Sequence, residues 1–130
     1  VSASGRTDFT GLLKLIVDGM RSGRIEPLDV THLLVDEFQD VDAMQLDWVF
    51  EHVRVGICVT AVGDDDQSLY GWRAAKGYDA FLSFEALTGA ETVVLEESYR
   101  CAQSIAQAAN SLIERNAGKR VAKRIVTRNP

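Results

Sequence analysis

The residues best suited to chemistry stand at the ends of two short apolar runs. VTHLLV (Val30 to Val35) stops abruptly at Asp36-Glu37, and ICVTAV (Ile57 to Val62) runs into Gly63-Asp64-Asp65-Asp66-Gln67. An aspartate beside a glutamate in this position suits nucleotide hydrolysis. One carboxylate holds a magnesium ion through its water shell while the other orients or deprotonates the attacking water. An acidic pair after a strand also serves as a solvated turn or helix cap, so the pair alone does not decide. Gln67 adds a neutral side chain able to bond both a γ-phosphate oxygen and a water. Adjacent aspartates are expected to diverge, which leaves Asp64 to face a nucleotide and Asp65 and Asp66 to cap and orient the loop. SLYGWRAA follows, with Tyr70, Trp72 and Arg73 in a segment lacking helix or strand period. Two aromatics and a cation on a loop suit stacking on unpaired bases, at about 1 to 3 kcal/mol per base. Plugging the core beneath the loop is the competing role.

The elements that must position these groups follow from periodicity. Phe9, Leu12, Leu13, Ile16, Val17 and Met20 recur at helical spacing, with Thr7 or Asp8 able to cap the start, and Gly19, Gly23 and Pro27 punctuate a loop. The two apolar runs read as buried strands. Between them Asp40 to Asp42 can cap a helix with Leu46, Val49, Phe50 and Val53 on one face, closed near Gly56. Strand, helix, strand is the pattern of a parallel sheet with a right-handed crossover, and the fold class is α/β. A helix carrying Phe81, Phe84 and Leu87 should stop at Gly89, and Thr92 to Leu95 reads as a third strand. A last helix bears Ile105, Ala109, Leu112 and Ile113, its end marked by Gly118, and Arg124 to Thr127 begins another strand. In open parallel sheets ligands sit beyond the carboxyl ends of the strands, where both acidic segments stand.

Composition narrows the classes. A chain of 130 residues with 46% hydrophobic and 25% charged residues has the proportions of one globular domain or a piece of one, which excludes solenoid, collagen and disordered tail. Its net charge of -5 argues against holding nucleic acid by bulk charge, so any DNA contact is local. Arg115, Lys119, Arg120, Lys123, Arg124 and Arg128 supply either a local basic patch or a solvated tail. Cys58 and Cys101 lack metal-ligand spacing, with only His32 and His52 as company. Cys58 reads as a small core hydrophobe, consistent with a reducing cytoplasm. No segment reaches the ~18 apolar residues of a membrane span, and the first residues, VSASGRTDF, suggest a cut end rather than a leader.

LLVDEFQDVDAMQ, then AVGDDDQSLYGWRAA, then LEESYRC resembles the UvrD/Rep family of superfamily 1A DNA helicases. The three strings are similar to the family's motif II (the Walker B element), motif III and motif IV. TDFTGLL resembles the segment that precedes motif II, and SIAQAANSLIERN with RIVTRN is similar to the start of the family's second RecA-like domain. The resemblance implies a partial RecA-like parallel sheet with flanking helices, divided into a helical segment (1–29), the second half of motor domain 1A (30–94) and the start of domain 2A (95–130). It further implies ATP and Mg2+ as cofactors. Asp36 would hold the ion through water and Glu37 would be the catalytic base. Gln67 would couple the γ-phosphate to a loop where Tyr70, Trp72 and Arg73 contact single-stranded DNA. Tyr99 would stack on adenine and Arg100 would reach the γ-phosphate as an arginine finger. Implied partners are single-stranded DNA, single/double-strand junctions and the remaining helicase domains. Two departures, Ser98-Tyr99-Arg100-Cys101 for N-Y-R-S and Gly71-Trp72-Arg73-Ala74-Ala75 for G-W-R-G-A, spare the side chains assigned to nucleotide or DNA.

The sequence contains no G-x-x-x-x-G-K-[ST]. In the family that Walker A loop lies ahead of this segment, so the chain reads as an internal slice expected to bind nucleotide weakly or not at all by itself. Two alternatives belong to other classes. A magnesium-dependent phosphohydrolase built on the carboxylates would turn over unaided, and a non-catalytic DNA-binding or interaction module would not need Glu37.

Overall fold

A computed structural model describes residues 6–69, 71, 74–115 and 118–129. Helix α1 (Phe9–Arg21) starts at Asp8, whose carboxylate accepts from Gly11 N–H at 2.7 Å. Gly19, expected in a loop, lies inside this helix. A Cβ there would sit 2.6 Å from Ile25 Cδ1, so the chain after the helix folds tightly back on it. Strand β1 (His32–Val35) leads through a 310 turn (Phe38–Asp40) into α2 (Ala43–Arg54). Asp42 and Gln45 form a reciprocal capping box at its start, satisfying donors that a helix leaves open. Strand β2 (Cys58–Ala61) then pairs parallel with β1, in the register His32↔Cys58 to Val35↔Ala61.

Helix α1, whose Val17 and Met20 are buried, packs on α2, and an ion-pair network closes the seam. Glu51, almost fully buried, accepts from Arg21 Nε at 2.8 Å and from Arg54 Nε at 2.9 Å, while Arg21 also reaches Asp47 at 3.1 Å. The Arg21 hydrogen bond, opposed by burial and helped by Arg54, holds the Glu51 carboxyl below its ordinary range. A depressed carboxyl stabilises the fold above its unfolded pKa and loses that contribution as pH falls through the folded one. Glu51→Gln is therefore expected to lower stability by about 1 to 2 kcal/mol at neutral pH. Its unfolding midpoint should converge with that of the wild type in acid, as denaturant titrations at pH 7 and pH 3 would check. His52, buried beside them, accepts from Leu28 N–H through Nε2 at 3.2 Å and so donates from Nδ1 to Trp48 O at 2.8 Å. Both its nitrogens are satisfied in a structural role.

The main core gathers Phe38, Val41, Leu46, Val49, Ala80 and Phe84. Helix α3 (Tyr78–Thr88) delivers Phe81 and Phe84 edge-on to Phe38, each with ring centroids 5.4 Å away, and ends at Gly89 in the left-handed conformation, as expected. Strands β1 and β2 differ from the expectation of full burial. Their residues alternate exposed and half-buried, with Leu34 77% exposed, because the described elements cover one face of this two-stranded sheet. Cys58 is exposed for the same reason.

The C-terminal part corrects three further expectations. Residues 91–96 form no ladder, and Val93 and Leu95 are exposed; pairing begins at β3 (Glu97–Ser98). Helix α4 (Gln103–Ile113) ends at Glu114, short of Gly118. Strand β4 is only Val126–Thr127, parallel to β3. Side chains do what longer strands would otherwise do: Asn110 bonds both the carbonyl and the N–H of Ile125, Thr127 Oγ1 donates to Cys101 O, and Asn129 Nδ2 donates to Tyr99 O. Among the described residues, no helix is long and apolar enough to cross a membrane.

Candidate active site

The parallel register puts the carboxyl ends of β1 and β2 side by side, and hydrogen bonding continues past them. Val62 N–H donates to Val35 O at 2.8 Å, and Phe38 N–H donates to Val62 O at 2.9 Å. Asp36 and Glu37 therefore leave the sheet next to Gly63 and Asp64. Both acids of the pair are exposed, and the backbone N–H of Glu37 donates to Asp36 Oδ1 at 2.8 Å. Glu37 holds a left-handed conformation (φ 52°, ψ 43°), which costs a non-glycine residue on the order of 1 kcal/mol or more. Its side chain is fixed by Gln39, whose Nε2 donates to Glu37 Oε2 at 2.7 Å. Beside the pair lies a cleft of about 370 Å³ whose walls include Leu13, Val35, Asp40 and Trp48.

Gln39 was not singled out from the sequence, and it joins the two strand ends. Only 1% exposed, it takes Glu37 with its amide and accepts from Asp64 N–H at 3.0 Å with its carbonyl oxygen. Gly63 makes this approach possible. A Cβ there would lie 2.5 Å from Gln39 Oε1 and 2.8 Å from Phe38 N, a backbone atom pinned by its own bond to Val62. Gly63→Ala is expected to cost about 1 to 3 kcal/mol through overpacking. A drop in the urea midpoint would check this, and an unchanged midpoint would mean that the two strand ends can part freely.

Asp64 accepts from Asp66 N–H and from Gln67 Nε2, the latter at 2.7 Å, so Gln67 is held beside the β2 end, with its carbonyl oxygen unengaged among the described residues. The three aspartates do not diverge. The 310 turn Asp65–Gln67 curls their carboxylates to within 4.8 Å of one another. Lys123 fills the space between them, reaching Asp64 at 2.9 Å, Asp66 at 3.1 Å, and Asp65. Arg120 adds a two-pronged bond to Asp66, at 2.9 and 2.8 Å. Burial acts to raise the Asp64 carboxyl, but hydrogen bonds from Lys123 and Gln67 outweigh it and hold the group below its usual range. Two of the six cations expected to form a local basic patch or a solvated tail thus belong to an internal clamp, and Arg128 pairs with Glu97 at 2.6 Å. Arg115, Lys119 and Arg124 stay exposed.

Tyr99 and Arg100 are exposed on the β3–β4 unit. Tyr99 donates its hydroxyl to Glu97 at 3.0 Å, Arg100 N–H donates to Ser98 Oγ at 3.3 Å, and the Arg100 guanidinium makes no hydrogen bond among the described residues. Tyr70, Trp72 and Arg73 lie outside the described residues.

Against known proteins, residues 4–87 match the model of the UvrD/REP helicase N-terminal domain. The chain is 45% identical to DNA helicase II of Escherichia coli over 89 residues, 68% of the chain and 12% of that protein. It is 37% identical to ATP-dependent DNA helicase PcrA of Leuconostoc citreum over 132 aligned positions, 97% of the chain and 17% of that protein. With ATP-dependent DNA helicase Rep of Escherichia coli the identity is 39% over 87 residues, 67% of the chain and 13% of that protein. The chain spans less than a fifth of the length of each of these relatives, and by the family match over most of its residues it belongs to the UvrD/REP helicase family.

Proposed function

We propose that this segment supplies the Walker B and motif III half of the ATP site in a DNA helicase or translocase, one that couples Mg-ATP hydrolysis to movement on single-stranded DNA and duplex unwinding. The observation that carries the reading is the parallel register, which sets Asp36-Glu37 and Asp64–Gln67 at one carboxyl edge, joined through Gln39. Asp36 keeps one carboxylate oxygen clear of the Glu37 N–H and offers the hard oxygen that a hydrated magnesium ion takes. The ion, when bound, screens phosphate charge. Glu37 deprotonates or orients the attacking water, Gln67 senses the γ-phosphate, and Arg100 approaches it from the second domain with Tyr99 on the base. Tyr70, Trp72 and Arg73 grip single-stranded DNA, single/double-strand junctions included.

In this reading residues 1–29 precede motif II, 30–94 are the second half of RecA-like domain 1A and 95–130 open domain 2A. The remaining helicase domains supply the phosphate cradle. Motifs II, III and IV are the strings around Asp36, Gln67 and Arg100, and the named relatives support ATP use. The test is phosphate release from Mg-ATP, with and without single-stranded DNA, by the full-length protein containing this segment and by the segment alone. DNA-stimulated turnover by the first and none by the second is expected. Glu37-dependent turnover by the segment alone would overturn the split site, and its absence from both would overturn the motor.

A further inference from the structure

We infer that Gln39 is a positioning residue for Glu37, tying the aim of that carboxylate to the place of the β2 loop. The inference rests on Glu37 acting as the base. Four observations carry it. Gln39 is a buried polar side chain whose amide and carbonyl ends bond two different segments, Glu37 Oε2 at 2.7 Å and Asp64 N–H at 3.0 Å. Its backbone is fixed as well, because Gln39 O accepts from Gly77 N–H at 3.0 Å, so the side chain projects from an anchored turn. Glu37 holds a backbone conformation that its side chain disfavours, and such a residue persists where its surroundings over-determine it. Gly63 leaves the room that the contact needs.

The consequence is mechanical. Asp64 also accepts from Gln67, so one chain of hydrogen bonds runs from Glu37 through Gln39 and Asp64 to Gln67. A shift of the β2 loop moves the acceptor end of Gln39 and re-aims the carboxylate at the other. A base misplaced by about 1 Å loses on the order of 10²-fold in rate, although binding is untouched.

The experiment is a double-mutant cycle in the full-length protein, reading kcat and KM for ATP with saturating single-stranded DNA. Gln39→Met keeps the side-chain length and removes both bonds. Gln39→Glu keeps the acceptor for Asp64 N–H and removes the donor to Glu37. Each is expected to lower kcat on the order of 10²-fold with KM for ATP nearly unchanged. In a Glu37→Gln background each should produce no further loss, since the residue acts through Glu37. A merely structural Gln39 would lower kcat by the same factor in both backgrounds, which would overturn the inference while leaving the base intact. Full turnover by Glu37→Gln alone would instead overturn the base. If Gln39→Met fails to fold, as judged by its melting transition, Gln39→Glu carries the cycle.

Discussion

Glu37→Gln is expected to reduce DNA-stimulated ATP turnover by the full-length protein about 10² to 10⁴-fold, the range of a positioned general base. That is roughly 3 to 5 kcal/mol of barrier. The substitution preserves shape, and the new amide still presents an oxygen to Gln39 Nε2, whose present partner is Glu37 Oε2 at 2.7 Å. Fold and nucleotide binding should therefore survive, and the loss should fall on kcat alone. Phosphate release at saturating ATP measures it directly. A silent substitution would favour a non-catalytic module that keeps these strings for binding. That module predicts its phenotype at Trp72, where replacement by Ala would weaken DNA binding while Glu37→Gln did nothing.

What could be read from the sequence was whatever local chemistry decides. The caps at Asp8 and Asp42, the helices α1 to α3 and the stop at Gly89 follow from periodicity and single-residue preferences. The parallel pairing of β1 with β2 follows from two apolar runs separated by a helix. Burial of those strands was not legible, because it depends on what covers the second face of the sheet. Leu34 and Cys58 carry apolar side chains into an exposed position for that reason. The strand expected at Thr92 to Leu95 had good β-formers but no neighbour to pair with among the described residues, and propensity without a partner does not make a ladder.

The candidate site divides the same way. Asp36, Glu37, Asp64 and Gln67 stand out in the sequence as candidates by their place after apolar runs, a local signal. Gln39 was missed because its role depends on two contacts, one of them to a residue 25 positions away, that no period encodes. A glycine directly after a strand was the one available hint of a close approach. Lys123 and Arg120 stand among basic neighbours in the sequence, yet they reach back 54 to 59 positions to the aspartates. Those ion pairs also explain why three adjacent acids converge, which sequence spacing alone argued against.

The clamp gives the second large effect its setting. Lys123 and Arg120 belong to the segment that carries Arg100, and they hold the β2 loop that carries Gln67. Arg100 itself makes no side-chain hydrogen bond among the described residues and stands exposed, so Arg100→Ala should change stability by no more than about 0.5 kcal/mol. Its expected effect on turnover is far larger. An arginine finger contributes ~10³ to 10⁵ in rate, and its planar guanidinium bonds phosphate oxygens in a fork that an ammonium cannot reproduce. Arg100→Ala is thus expected to lower kcat by about three orders of magnitude or more with an unchanged melting temperature, and Arg100→Lys to recover little of it. Single-turnover hydrolysis beside a thermal melt separates the two quantities. Turnover within a few-fold of wild type in Arg100→Ala would remove Arg100 from the γ-phosphate and leave charge compensation there to a group outside this segment.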